Sequence, residues 1–182
     1  RQAMFADLLE EFGGAERERG EKAMLNLDPP DHTRIRKLVS KAFTVRRVEQ
    51  LRPRIQELVD QTLDRVAGAG PWDVVDELAF PLPFQVISEL LGMPEGDRAA
   101  IRDWSHALTK TLDPIVSEED MRAAFEASDA MTAYLDEVVP WKRAHPADDV
   151  LTGLVQAEEG GDTLSAAELR DQIVLLFIAG HE

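Results

Sequence analysis

The sequence predicts an all-α fold with little strand, and three observations carry that prediction. Apolar residues recur at i, i+3 and i+4 through most of the chain, as one face of a helix requires. Glycine and proline fall where those stripes end. Two Ser-x-x-acid tetrads, Ser117–Asp120 and Ser165–Glu168, have the form of capping boxes that open helices.

The 182 residues suffice for one domain with its own core, and no linker, internal repeat or low-complexity tract divides them. With 44% hydrophobic residues the chain is neither disordered nor membranous, and no apolar run approaches the ~18 residues of a membrane span. A net charge of −15 argues against nucleic acid as a partner. The absence of cysteine excludes disulfides and thiolate metal sites within these residues, and makes a cytoplasmic location the simplest reading.

In chain order, Met4, Phe5, Leu8, Leu9 and Phe12 suggest a short helix ending at Gly13-Gly14, before a charge-rich loop from Glu16 to Lys22. From Asp28 to Phe43 an extended entry leads into a helix. Pro30 suits its first position, and Ile35, Leu38, Val39, Ala42 and Phe43 form its core face. Thr44 is placed to cap a short turn, and Arg52 before Pro53 marks a break. The next helix turns Ile55, Leu58, Val59, Thr62, Leu63 and Val66 inward and stops near Gly68. Residues 71–75 read as a short extended piece.

A further stripe runs from Pro83 through Phe84, Ile87, Leu90 and Leu91, with Gly92 and Pro94 to end it. Residues 95–113 read as a helix with Ile101, Trp104, Leu108 and Leu112 inward, broken at Asp113-Pro114. Ser117 opens a long helix to about His145, and Pro146 restarts a shorter one containing Val150, Leu151, Leu154 and Val155. Gly160-Gly161-Asp162 is a turn, and Ser165 opens the final helix.

Two places carry candidate chemistry. At about 100° per residue, His32 and Arg36 lie one turn apart on the edge of an apolar stripe, with Arg34, Lys37 and Lys41 pointing away. Such a pair can clamp an anion whose remainder is apolar, through a guanidinium fork and one imidazole N–H. Spacing alone favours the plainer alternative, a solvated basic helix. From His32 to Arg47 there are six Lys or Arg and no acid. That island is either a docking surface for an acidic partner or an ordinary solvated face.

The second place is the final helix. From Ile173 to Gly180 it is apolar or small on every side, which predicts central burial. Ala179 and Gly180 leave room for a flat group to approach the backbone, or for close packing of another helix. The ionisable pair His181 and Glu182 follows, and the chain then stops without a cap, as a truncated fragment would.

The run Asp28-Pro29-Pro30-Asp31-His32-Thr33-Arg34 through Ala42-Phe43-Thr44 resembles the C-helix signature of bacterial cytochrome P450 monooxygenases. Phe177-Ile178-Ala179-Gly180-His181-Glu182 resembles that family's distal I-helix, interrupted midway, and Pro81-Leu82-Pro83 to Glu89-Leu90-Leu91-Gly92-Met93-Pro94 resembles the segment between them. The resemblance covers most of residues 24–182. It implies a fragment of the cytochrome P450 fold from helix C to helix I. Residues 1–182 would then be a single partial domain, without the N-terminal sheet region and the C-terminal region that carries the haem-ligating Cys.

By that resemblance His32 and Arg36 bind the propionates of haem b, and Ala179 and Gly180 are the small pair over the porphyrin. Leu175 and Ile178 face substrate, with ordinary core as the alternative. Glu182 is the acid of the oxygen-activating acid–alcohol pair, whose Thr would be the next residue. Within these residues there is no metal ligand, because the thiolate comes from elsewhere. The implied activity is oxidation, by family habit hydroxylation, of a small apolar organic substrate with O2. Electrons would come from NAD(P)H through ferredoxin reductase and ferredoxin, to a cytoplasmic monomer; the fragment alone would be inactive. Two other classes stay open on the residues themselves. His181-Glu182 is also how a truncated His-Glu-x-x-His zinc peptidase would end, and an acidic helical ligand-binding module would share the helices.

Overall fold

The computed structural model describes residues 20–68 and 70–181. The expected helix around Met4–Phe12, part of the loop after it and Glu182 lie outside the described residues. Seven α-helices and one two-stranded hairpin are described: α1 (Asp31–Ala42), α2 (Val45–Val66), α3 (Pro81–Leu91), α4 (Arg98–Thr109), α5 (Glu118–Ala144), α6 (Val150–Val155), β1 (Glu158–Glu159), β2 (Asp162–Thr163) and α7 (Ala166–His181). The all-α reading holds, and no described helix is long and apolar enough to cross a membrane.

Local chemistry sets most boundaries. The Thr44 hydroxyl accepts from Arg47 N at 3.2 Å and starts α2. Ser117 Oγ accepts from Asp120 N at 3.0 Å and starts α5. The second capping box is reciprocal: Glu168 N donates to Ser165 Oγ at 3.2 Å and Ser165 N to Glu168 Oε2 at 2.8 Å. Gly92 ends α3 with φ of 70°, while Gly92 N and Met93 N donate to the carbonyls of Glu89 and Ser88. The hairpin pairs Glu158 with Thr163 and Glu159 with Asp162 around Gly160-Gly161, both at positive φ.

Several expectations are corrected. No break occurs at Arg52-Pro53: α2 begins at Val45 and runs through Pro53. Pro53 and Glu49 both face solvent, so water can serve the Glu49 carbonyl that lacks its helical donor. Residues 71–75 are not extended. Asp73 Oδ1 accepts from the N–H groups of Val75 (2.8 Å) and Asp76 (3.2 Å), which opens a π-helical turn over Val75–Ala79. Leu112 is 67% exposed, because the chain tightens into a 3₁₀ turn at Lys110–Leu112 and rotates it off the stripe of Ile101. The short helix begins at Val150 rather than after Pro146. Asp149 caps it by accepting from Thr152 N at 2.7 Å, and Ala147 N is held by the Thr152 hydroxyl at 3.1 Å.

One apolar cluster joins Ile35, Val39 and Ala42 of α1 to Phe84, Ile87 and Leu91 of α3, Ile101 of α4, Met131, Leu135 and Val139 of α5, the α6 residues Val150, Leu151 and Leu154, and Leu169, Ile173 and Phe177 of α7. The α2 helix lies outside that cluster; it packs on α3, and its buried residues are Leu58 and Val66. Its Arg54 forms a two-bond fork with Glu89 of α3, at 2.9 Å in each arm.

Candidate functional site

The final helix has two faces, which corrects the expectation of burial all round. Leu169, Gln172, Ile173 and Phe177 are buried, while Leu175 and Ile178 are only partly covered and Ala179 is exposed. At helical spacing Gly180 shares the buried face with Ile173 and Phe177. The Phe84 and Phe177 rings stack with centroids 6.4 Å apart, and a Cβ on Gly180 would meet Ile87 Cγ1 at 2.8 Å. Glycine there lets α7 lie against α3, the packing alternative that the sequence left open. Ala179, Leu175 and Ile178 share the open side.

On α1, Ile35, Leu38, Val39 and Ala42 are buried, which leaves His32 half-buried and Arg36 exposed at the border. Among the described residues neither the His32 nor the Arg36 side chain has a hydrogen bond or an ion pair. Arg34 is different: it reaches across to Asp162 of β2 at 3.2 Å and to Glu168 of α7. It therefore pins α1 to the hairpin and to the start of α7, and is spoken for structurally. Arg46 and Arg47 both pair with Asp148, and Arg47 Nη1 also donates to the Ala42 carbonyl at 2.9 Å. Arg34, Arg46 and Arg47 of the basic island thus serve internal contacts.

Arg36 lines a cleft of about 310 Å3 with Met24, Val39, Ser40, Phe43 and Leu176. The cleft brings α1, α7 and the segment before α1 together, with apolar walls and one unpaired guanidinium. A carboxylate-bearing, otherwise apolar group fits that donor set. Met24 and Leu176 were not candidates in the sequence. Their role depends on segments about 150 positions apart lining one cleft, which no local pattern announces. Gln172 lies three residues after Leu169 on the inward face of α7, but a polar residue there gives no local sign of its partner. Its amide accepts from Met24 N at 2.9 Å and donates to the Lys22 carbonyl at 2.7 Å.

Of the residues singled out from sequence, Arg36 stands in the cleft, His32 lies one turn from it on α1, and Leu175, Ile178 and Ala179 lie together on the open side of α7. Gly180 faces Ile87. Glu182 lies outside the described residues. Among those residues, no three His, Asp or Glu side chains are grouped to hold a metal ion.

No protein-family model matches the chain. Cytochrome P450 107B1 of Saccharopolyspora erythraea is 52% identical over 159 residues, which are 87% of this chain and 38% of that protein. The cytochrome P450 monooxygenase PikC of Streptomyces venezuelae is 46% identical over 162 residues, 87% of this chain and 37% of its own length. The crystal structure of P450BioI, in complex with an acyl carrier protein carrying hexadec-9Z-enoic acid, superposes with a TM-score of 0.82 at 34% identity. That match covers 89% of this chain and 41% of the other. The chain thus spans about 38% of the length of the curated relatives it matches.

Proposed function

The chain belongs to the bacterial cytochrome P450 family, and from that premise we propose that it forms the helix C to helix I part of a haem-thiolate monooxygenase acting on a small apolar organic substrate. Haem, when bound, supplies the oxidising chemistry, with a thiolate from a cysteine that this sequence does not contain. The chain's own residues bind, shape and exclude water. Arg36 and His32 hold the haem propionates through charge-assisted hydrogen bonds. Ala179, exposed on the open side of α7, would leave room there for the flat cofactor. Gly180, having no side chain, lets the helix lie close on Ile87 behind it. Leu175 and Ile178 offer an apolar wall to substrate. Glu182 would hold and move a proton on the distal side of the cofactor site, a role taken from the resemblance to the family.

Hydroxylation, a ferredoxin and its reductase drawing on NAD(P)H, and a cytoplasmic monomer belong to the same reading. An acidic ferredoxin would meet the basic island at the exposed Lys37 and Lys41. The zinc-peptidase reading of His181-Glu182 has no counterpart among the relatives named above.

The observation that carries the reading is the Arg36 guanidinium, unpaired among the described residues on a mostly apolar cleft. The test is haem transfer from the full-length protein to an apo-acceptor. Arg36→Ala and His32→Ala each remove a bond to a charged group worth roughly 1.5–3 kcal/mol, so each should speed haem loss about tenfold or more. Arg52→Ala, on the exposed side of α2, should leave it unchanged. Equal rates for all three variants overturn the clamp. A reduced carbon monoxide complex without the red-shifted thiolate band would overturn the monooxygenase.

A further inference from the structure

Gln172 is fully buried, and its side-chain amide is fully used. Its oxygen accepts from Met24 N at 2.9 Å, and its nitrogen donates to the carbonyls of Lys22 at 2.7 Å and Glu168 at 3.0 Å. The neighbouring Asp171 accepts from Lys22 N at 3.0 Å. Two consecutive side chains of α7 thus hold both polar groups of the Lys22 backbone and the N–H of Met24. These contacts bridge about 150 positions in sequence and fasten the segment before α1 to the middle of the structure. A buried amide so completely satisfied specifies one geometry, because any shift of the segment strands polar groups away from water.

The geometry it specifies concerns the cleft. Met24 lines the same space as Arg36, together with Val39, Phe43 and Leu176. An ion pair gains strength as water is excluded around it, since the effective dielectric falls. A wall that drifts outward admits water and weakens whatever anion the guanidinium holds.

We propose that Gln172 is a positioning residue for the Arg36 site: it fastens Lys22 and Met24 to α7 so that Met24 closes the dry side of the cleft in which Arg36 receives a carboxylate of the cofactor. The inference rests on the reading of Arg36 as a propionate ligand. Gln172 itself does not touch the cofactor, so its effect must pass through Arg36.

The test is a double-mutant cycle on the full-length haem protein, read by haem transfer to an apo-acceptor. Q172M keeps the volume and removes the hydrogen bonds; it should speed haem loss about fivefold or more in the parent background. In the R36A background it should add less than about twofold, because the group it acts through is gone. A residue with a merely structural role gives factors that multiply in the two backgrounds, and that result overturns the proposal, as does a parental rate for Q172M. Should Q172M not fold, Q172N carries the same cycle, since its amide stops one methylene short of Met24 N–H. Failure of both variants to yield folded protein marks Gln172 as a fold residue and also overturns the proposal. If R36A itself loses haem at the parental rate, the clamp reading falls and this inference with it. If R36A is fast and Q172M is not, only this inference falls.

Discussion

The Asp149 carboxylate occupies the space that a side chain on Gly92 would need. Gly92 ends α3 in the left-handed region, and Asp149 opens α6 by accepting from Thr152 N at 2.7 Å. The end of one helix therefore meets the start of another through a missing Cβ. The same Asp149 pairs with Lys142 near the end of α5, with both side chains less than a tenth exposed.

That buried pair gives the first prediction. Lys142→Met should destabilise the full-length protein by about 3–5 kcal/mol, because it leaves the Asp149 charge buried without its partner. Lys142→Met combined with Asp149→Asn should recover most of the loss, since Asn keeps the cap and carries no charge. Urea unfolding at neutral pH measures both. A double variant no better than the single one would show that the charge is not the cause.

Acid should destabilise the protein through two carboxylates. Hydrogen bonds from Arg54 hold Glu89 below its usual range against the cost of burial, helped by Gln85 and by the charge of Arg98. Burial pushes Glu168 up, but hydrogen bonds from Ser165 and the charge of Arg34 outweigh it, and its net shift is downward. A depressed folded value means stability that is complete above the ordinary carboxylate range near 4.3 and is lost as pH falls through the folded value. Urea midpoints should therefore drop below about pH 4, and Glu89→Gln should flatten that drop. Asp171 has the opposite sign: burial raises its carboxyl despite bonds from the backbone of Gly20 and Lys22. Its contribution is complete below about 3.9 and declines as pH rises through the raised value, so Asp171→Asn should lift neutral stability relative to acid stability.

Glu182→Gln tests proton delivery. The change keeps size and removes the exchangeable proton, so turnover of the full-length enzyme should fall roughly 10²-fold with haem content and substrate-induced spectral change retained. The solvent isotope effect should rise. Parental turnover would leave Glu182 without a catalytic role.

The sequence alone determined whatever depends on partners within a few residues. Thr44, Ser117, Ser165 and Gly92 set helix ends through bonds to positions three to five residues away, and such distances follow from the local backbone. The His32–Arg36 spacing and the small pair Ala179-Gly180 were legible for the same reason, as were the signatures of the family. Only the tertiary structure decided what each was free to do. Arg34 and Arg36 are two positions apart in one basic helix, yet Arg34 is held by Asp162 and Glu168 while Arg36 opens on a cleft. Ala179 and Gly180 are adjacent, yet one is exposed and the other lies on Ile87. Pro53 looked like a break until the solvent on its side of α2 was known, and Gln172 looked like any polar residue until Met24 lay against it. Helix periodicity fixes which residues share a face; which face finds a neighbour depends on how distant segments pack, and no local spacing encodes that.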